Sequence, residues 1–177
     1  NYVNDMKNEQ FKVSEKQYED LKKTVFQPLE NYQIGRNEIV AGTVSPSYIL
    51  PLSGLQRLEK IMDEYVGGIS ANYMTNEPLL TRGLELLGML KEDLAYLGAE
   101  DLHQLMRAWE LQHRLLASES VTRHTMFRTE TRWPGYYYRG DHMQLNDNDW
   151  HCFTLSHYDR ESGDWTMEKA PVYHIVD

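Results

Sequence analysis

Residues Glu130–His142 read ETRWPGYYYRGDH, and this stretch divides the chain into two textures. Upstream of it, apolar residues recur at helical spacing. Downstream, aromatic and β-branched residues alternate around turn formers. Trp133, Pro134 and Gly135 end the first pattern: a proline ring removes a helical donor, and a glycine enters turn conformations that other residues avoid. The fold class this predicts is mainly α, a helical bundle domain with a C-terminal β-hairpin.

Working back from that corner, the longest helix is expected over 99–129. Leu102, Leu105, Met106, Trp109, Leu116 and Phe127 form its core stripe, and Glu110–Arg114 and Glu119–Arg123 are supporting i,i+4 pairs. A helix is predicted from Asn76 to Gly98, with Pro78 in its first turn and Leu79, Leu80, Leu84, Leu87, Leu90 and Leu94 apolar. Another starts at Ser53 and carries Leu55, Leu58, Ile61, Met62 and Tyr65 inward, ending at Gly67 and Gly68. Ser14 and Gln17 make a capping box for a helix to Gln33 with Tyr18, Leu21, Val25, Leu29 and Tyr32 on one stripe. Pro28 inside it predicts a kink or an early stop. Residues 34–52, with Gly35, Gly42, Pro46 and Pro51, read as a long connector in which SYIL docks locally. Working forward, WHCFTLSHY and WTMEKAPVYHIV flank DRESGD, the pattern of a hairpin. The expected divisions are 1–52 (N-terminal helix and connector), 53–135 (bundle core) and 136–177 (aromatic loop and hairpin), all within one domain of a longer protein.

Composition narrows the function. A net charge of −9 opposes a nucleic-acid partner, whose phosphates need clustered Lys and Arg. The single cysteine, Cys152, excludes an internal disulfide and a cysteine-only metal or iron–sulfur site within the chain, and suits a reducing, cytoplasmic setting. No apolar run approaches a membrane span. The chain begins at Asn1 with a polar NYVNDMKNEQ, which has no secretory h-region and reads as a processed start or a piece of something longer.

Catalytic constellations are sparse. His103, His113 and His124 lie several helical turns apart, and His151 and His157 share a strand face without other donors nearby, so scattered histidines outweigh a metal site. Cys152, between Trp150 and Phe153, reads as a packed thiol. Ser118 and Ser120 sit mid-helix, where no oxyanion hole can form. There is no dinucleotide-binding glycine fingerprint and no Walker loop. No catalytic residue and no metal ligand is assigned. What remains is Glu130, Arg132, Trp133, Tyr136, Tyr137, Tyr138 and Arg139. Trp, Tyr and Arg are enriched at protein interfaces. The group reads either as a docking loop for another domain, subunit or cofactor edge, or as a loop packed on its own helices; composition weighs the two evenly.

The same residues carry a resemblance. The run from Asp101 to His142, then NDNDWHCFTLSHYD and PVYHIVD, together with LEKIMDEYVGGIS, resembles the C-terminal part of the alpha subunits of dissimilatory adenylylsulfate reductases. The likeness is dense from Ser53 to Asp177 and thinner before. In the wider fumarate reductase and succinate dehydrogenase flavoprotein superfamily the corner is Glu-Ser-Arg-Gly-Ala-His. Here Glu130, Thr131 and Arg132 match, and Trp133, Pro134 and Gly135 replace Gly-Ala-His, which favours the adenylylsulfate reductase branch and leaves no role for the superfamily histidine. The resemblance implies FAD bound by upstream domains, a beta subunit carrying the iron–sulfur clusters, and interconversion of adenylylsulfate with AMP and sulfite by the whole enzyme. It implies that this piece supports the flavin domain and subunit packing, with Arg132 in a structural or cofactor-proximal charge contact. A stand-alone helical interaction module and a dicarboxylate oxidoreductase domain are the competing readings.

Overall fold

The computed structural model describes residues 13–40 and 49–173. Helix α1 is Glu15–Val40, α2 is Pro51–Tyr65, α3 is Glu77–Asp93 and α4 is Leu102–Phe127. A 3-10 turn, Leu94–Tyr96, follows α3, and a four-residue helix, α5, spans Asp147–Trp150. Two short strands, β1 (Met74–Thr75) and β2 (Tyr138–Arg139), pair in parallel; β3 (Cys152–Tyr158) and β4 (Trp165–Pro171) form the antiparallel hairpin. The mainly α architecture with a C-terminal hairpin is as the sequence predicts.

Helices α2, α3 and α4 pack around a core of Leu58, Ile61, Leu87, Leu90, Leu97, Ala108, Leu111 and Leu115. Close approach of α2 to α4 is set by Gly54: a Cβ there would lie 2.5 Å from a methyl of Leu111. Helix α3 begins as expected, with the Asn76 side chain accepting from the Leu79 amide at 3.0 Å. It ends at Asp93, before Gly98, because the chain tightens into the 3-10 turn. Helix α2 starts two residues ahead of Ser53, since Pro51 suits the first helical turn.

On α4 the expected stripe needs correction. Leu102 and Met106 are 68% and 61% exposed, and Leu116 is exposed as well. The buried positions are Leu105, Ala108, Leu111, Leu115, Glu119 and Thr122. Ala108 fits a close crossing, while Glu119 and Thr122 are buried through partners rather than apolarity: Glu119 Oε1 accepts from Arg123, and the Thr122 hydroxyl donates to the Ser118 carbonyl at 2.7 Å. Both expected i,i+4 pairs form.

Helix α1 opens with the expected capping box: the Gln17 amide donates to Ser14 Oγ at 3.2 Å, and the Ser14 amide donates to Gln17 Oε1 at 2.9 Å. It neither stops at Pro28 nor ends at Gln33. Tertiary bonds hold it on both sides of Pro28. The Trp109 indole donates to the Val25 carbonyl, the Ala99 amide donates to the Pro28 carbonyl, and the Asn31 amide donates to the carbonyls of Ala95 and Leu97. The connector expected over 34–52 is therefore helix through Val40, and residues 41–48 lie outside the described residues. Ile49 docks by a parallel bridge to Leu97.

The hairpin register runs from Cys152 opposite Pro171 to Tyr158 opposite Trp165, with DRESGD as its turn. Its half-buried face presents Thr154 and Ser156 to α4, where the two ring nitrogens of His124 lie 3.1 Å from Thr154 Oγ1 and 3.0 Å from Ser156 Oγ.

Candidate functional site

The corner between α4 and the hairpin gathers the residues that the sequence singles out. At its centre the Glu130 side chain is 0% exposed. Arg128 Nη1 and Arg132 Nε each donate to Oε1 at 2.6 Å; Arg132 Nη2 donates to Oε2 at 3.0 Å and the Asn146 amide at 2.9 Å. Burial works against ionisation of Glu130, but Arg132, the Asn146 amide and Arg128 outweigh it and hold the carboxyl below its ordinary pKa. In return, the bond to Glu130 raises the pKa of Arg132. Arg132 also reaches Asp147 Oδ1 at 2.9 Å and the Trp150 carbonyl at 3.2 Å, which ties the corner to α5. Arg128 reaches the carbonyls of Trp150 and Cys152, both at 3.0 Å, tying it to β3.

A second knot is built on Arg139, a β2 residue only 2% exposed. Its Nη1 donates to the carbonyls of Thr125, Met126 and Arg128 at the end of α4. Terminal helix carbonyls lack intrahelical donors, and a cation there complements the helix dipole. Asp141 holds the guanidinium in place, accepting from Nε at 2.9 Å and from Nη2 at 3.0 Å. It also accepts from the Glu77 amide at 2.8 Å, in the first turn of α3. One ion pair thus joins the C-terminus of one helix to the N-terminus of another. The Arg139 bond is the main reason the Asp141 pKa falls to about 2.

The four aromatics divide. The Tyr137 hydroxyl donates to the Val66 carbonyl, and its ring lies against Gly67, whose φ of +89° and lack of a Cβ admit both the turn and the ring. Tyr138 Oη accepts from the Gly135 amide at 2.6 Å. Trp133 and Tyr136, by contrast, are 69% and 79% exposed. So Glu130, Arg132, Arg139, Tyr137 and Tyr138 are engaged inside the corner, and Trp133 and Tyr136 project from it. A cavity of about 210 Å³ opens beside Trp133, bounded by Tyr137, Arg132, Arg128, His124 and Thr154.

Sequence reading missed Arg128, Asn146, Asp147 and the His124 clip. The alternation Thr154-x-Ser156 opposite a helical histidine was the available signal for the clip. Ligand atoms of Glu77, Asp141 and His142 lie within 4.8 Å of one another, but Asp141 is already engaged by Arg139 and by the Glu77 amide. Among the described residues of the corner, Arg128, Arg132 and Arg139 each have a carboxylate partner. The arrangement is suited to holding a surface rigid.

The family model described as fumarate reductase flavoprotein C-term matches residues 55–175, the span that holds the three core helices, the corner and the hairpin. The chain belongs to the fumarate reductase flavoprotein C-terminal family. It is similar to the adenylylsulfate reductase subunit alpha of Megalodesulfovibrio gigas, 41% identical over 89% of this chain and 24% of that protein. Among solved structures it is similar to an adenosine-5-phosphosulfate reductase in complex with sulfite as a covalent adduct, at TM-score 0.91 and 49% identity over 99% of this chain and 27% of that one. The adenylylsulfate reductase of Archaeoglobus fulgidus matches with the same four values. The chain spans about a quarter of the length of these relatives. In this flavoprotein family member, no helix among the described residues is long and apolar enough to cross a membrane.

Proposed function

We propose that the chain is the C-terminal helical domain of the FAD-containing alpha subunit of an adenylylsulfate reductase, an enzyme that interconverts adenylylsulfate with AMP and sulfite. The observation that carries this reading is the likeness to two solved adenylylsulfate reductases over nearly the whole chain. In this reading the domain supplies no reacting group. Among the described residues there is no glycine-rich turn leading from a strand into a helix, and the corner guanidiniums are matched by carboxylates. In this reading these residues are not the cradle for the phosphates of FAD. The flavin, which supplies the redox chemistry, is held by other parts of a longer polypeptide, and an iron–sulfur beta subunit completes the enzyme in the cytoplasm.

The domain's contribution is a preorganised wall. Glu130 and Arg139 fix the corner, and Trp133 and Tyr136 present broad apolar surface with little entropy to lose on docking. Arg132, anchored by Glu130 and Asp147, holds the base of that surface. The test is activity of the complete polypeptide with its beta subunit: sulfite- and AMP-dependent reduction of ferricyanide is expected, and succinate-dependent reduction without it overturns the reading. Arg132→Ala in that enzyme is expected to lower flavin retention or assembly while leaving the KM values for AMP and sulfite within about twofold, as for lost rigidity rather than lost substrate contact. The 177-residue chain alone is expected to bind no FAD and show no turnover; a yellow, active preparation contradicts this.

A further inference from the structure

A second concavity lies away from the corner, between the helical core and the hairpin turn, with a volume of about 400 Å³. Its floor is apolar, formed by Leu94, Leu115 and Leu116, and its walls include Trp109 and Tyr158. Lys91, Arg160, Gln112, His113 and Glu119 also line it. The volume falls within the range of small-molecule sites, roughly 300–1,000 Å³, which combine apolar walls with a few polar groups.

The two cations differ from those of the corner. There, the guanidiniums are bonded to Glu130, Asp141 and Asp147 at 2.6–3.0 Å. Lys91 Nζ instead lies 3.4 Å from Glu119 Oε2 and 3.5 Å from the Tyr158 hydroxyl, beyond the ordinary range of about 2.7–3.2 Å. It also lies 5.2 Å from the centroid of the Tyr158 ring, and its three N–H donors make only long contacts. Glu119 is committed elsewhere, since its other oxygen accepts from Arg123 Nε at 3.1 Å and Nη2 at 2.8 Å. Arg160, at the exposed hairpin turn, has no hydrogen-bond or ion-pair partner among the described residues. An unpaired Arg160 and a loosely paired Lys91, against the single carboxylate of Glu119, leave an apolar, aromatic-walled cleft with more positive than negative charge on a chain of net charge −9.

We propose that this cleft binds a small planar anion, an aromatic or heteroaromatic body carrying one carboxylate or phosphate. The ring lies on the leucine floor beside Trp109 and the edge of Tyr158, whose ring packs on Trp165 at 4.8 Å between centroids, and the anionic group meets Lys91 and Arg160. Neither cation belongs to the corner, so the site is independent of the role proposed above.

The experiment is calorimetric titration of the complete protein with 2-naphthoate, and with neutral 2-naphthamide as the uncharged isostere. Saturable one-site binding is expected, weaker by at least tenfold for the amide, for Lys91→Met and for Arg160→Ser. Leu116→Trp, which adds bulk to the cleft floor and leaves both cations in the sequence, is expected to abolish it. Lys60→Met, on the exposed face of α2, serves as the control and is expected to leave affinity unchanged. Absence of binding to the wild-type protein at millimolar naphthoate overturns the proposal. So does equal affinity for the amide, or binding that survives Leu116→Trp in a protein whose melting temperature is unchanged.

Discussion

Two regions of this molecule are held together by opposite means. The α2–α3–α4 core is leucine against leucine, with glycine and alanine where helices cross. The corner from Arg128 to Trp150 is organised by buried charge: Glu130 under two arginines, and Arg139 between a helix end and Asp141. Apolar contacts are non-directional and tolerate repacking. A buried ion pair tolerates nothing at one partner, because removing it leaves an uncompensated charge. The core makes the domain stable, and the corner makes one loop conformation unique.

The largest effect is expected at the corner. Glu130→Ala removes the carboxylate that Arg128 and Arg132 share, leaving Arg128 with carbonyl partners alone, and should cost about 3–5 kcal/mol in urea unfolding, as for breaking a buried pair. Glu130→Gln, which keeps the shape and some of the bonds, should cost less. A corner variant no more costly than a surface substitution breaks the comparison. In the core, Leu87→Ala should cost about 2–5 kcal/mol with no dependence on pH. Acid separates the two regions further. The folded-state pKa of Asp141 lies near 2, and that of Glu130 lies below its ordinary value. Each group therefore contributes stability above its unfolded pKa and loses it as pH falls through the folded value. The wild-type protein should lose stability progressively from about pH 4 toward pH 2, and Asp141→Asn should flatten that loss. An unchanged slope in the variant contradicts the assignment.

The core was largely legible in the sequence because periodicity reports burial. Leu58, Ile61, Leu80, Leu87 and Leu90 are buried as their spacing predicts. On α4 the same logic chose Leu102 and Met106 over Ala108, Glu119 and Thr122, since hydrophobicity says nothing of a crossing point or a satisfied polar group. Helix α1 outran its prediction because Trp109, Ala99 and the Ala95 and Leu97 carbonyls, distant in sequence, bond to Val25, Pro28 and Asn31 and hold the helix on both sides of Pro28. At the corner, residue types marked the place, and their division into inward and outward groups was not readable. Tyr136, Tyr137 and Tyr138 are identical side chains, and only the third dimension separates the exposed one from the two that are engaged. The hairpin and its turn were legible, because alternation and a polar turn are local signals; its strands are Cys152–Tyr158 and Trp165–Pro171, shorter than the aromatic runs that signalled them, and residues 174–177 lie outside the described residues.

Smaller effects follow at the margins. His124→Ala removes both hydroxyl contacts between α4 and the hairpin; about 1–2 kcal/mol is expected, read as faster amide exchange in β3 with the core amides unchanged. Smallest of all for folding is the pair of projecting aromatics. Trp133→Ala and Tyr136→Ala should each change the stability of the isolated domain by less than about 0.5 kcal/mol, since neither side chain is buried.

That last pair carries the central claim, because residues with no folding role need another reason to project. The direct measurement is made on the complete polypeptide with the iron–sulfur subunit proposed as its partner, comparing wild type with the double variant Trp133→Ala and Tyr136→Ala. Flavin per polypeptide is read from its absorbance, and assembly from gel filtration. The account predicts at least a severalfold loss of bound flavin or of the assembled complex, with the melting of the isolated domain unmoved. Equal flavin content and an unchanged elution profile would contradict it.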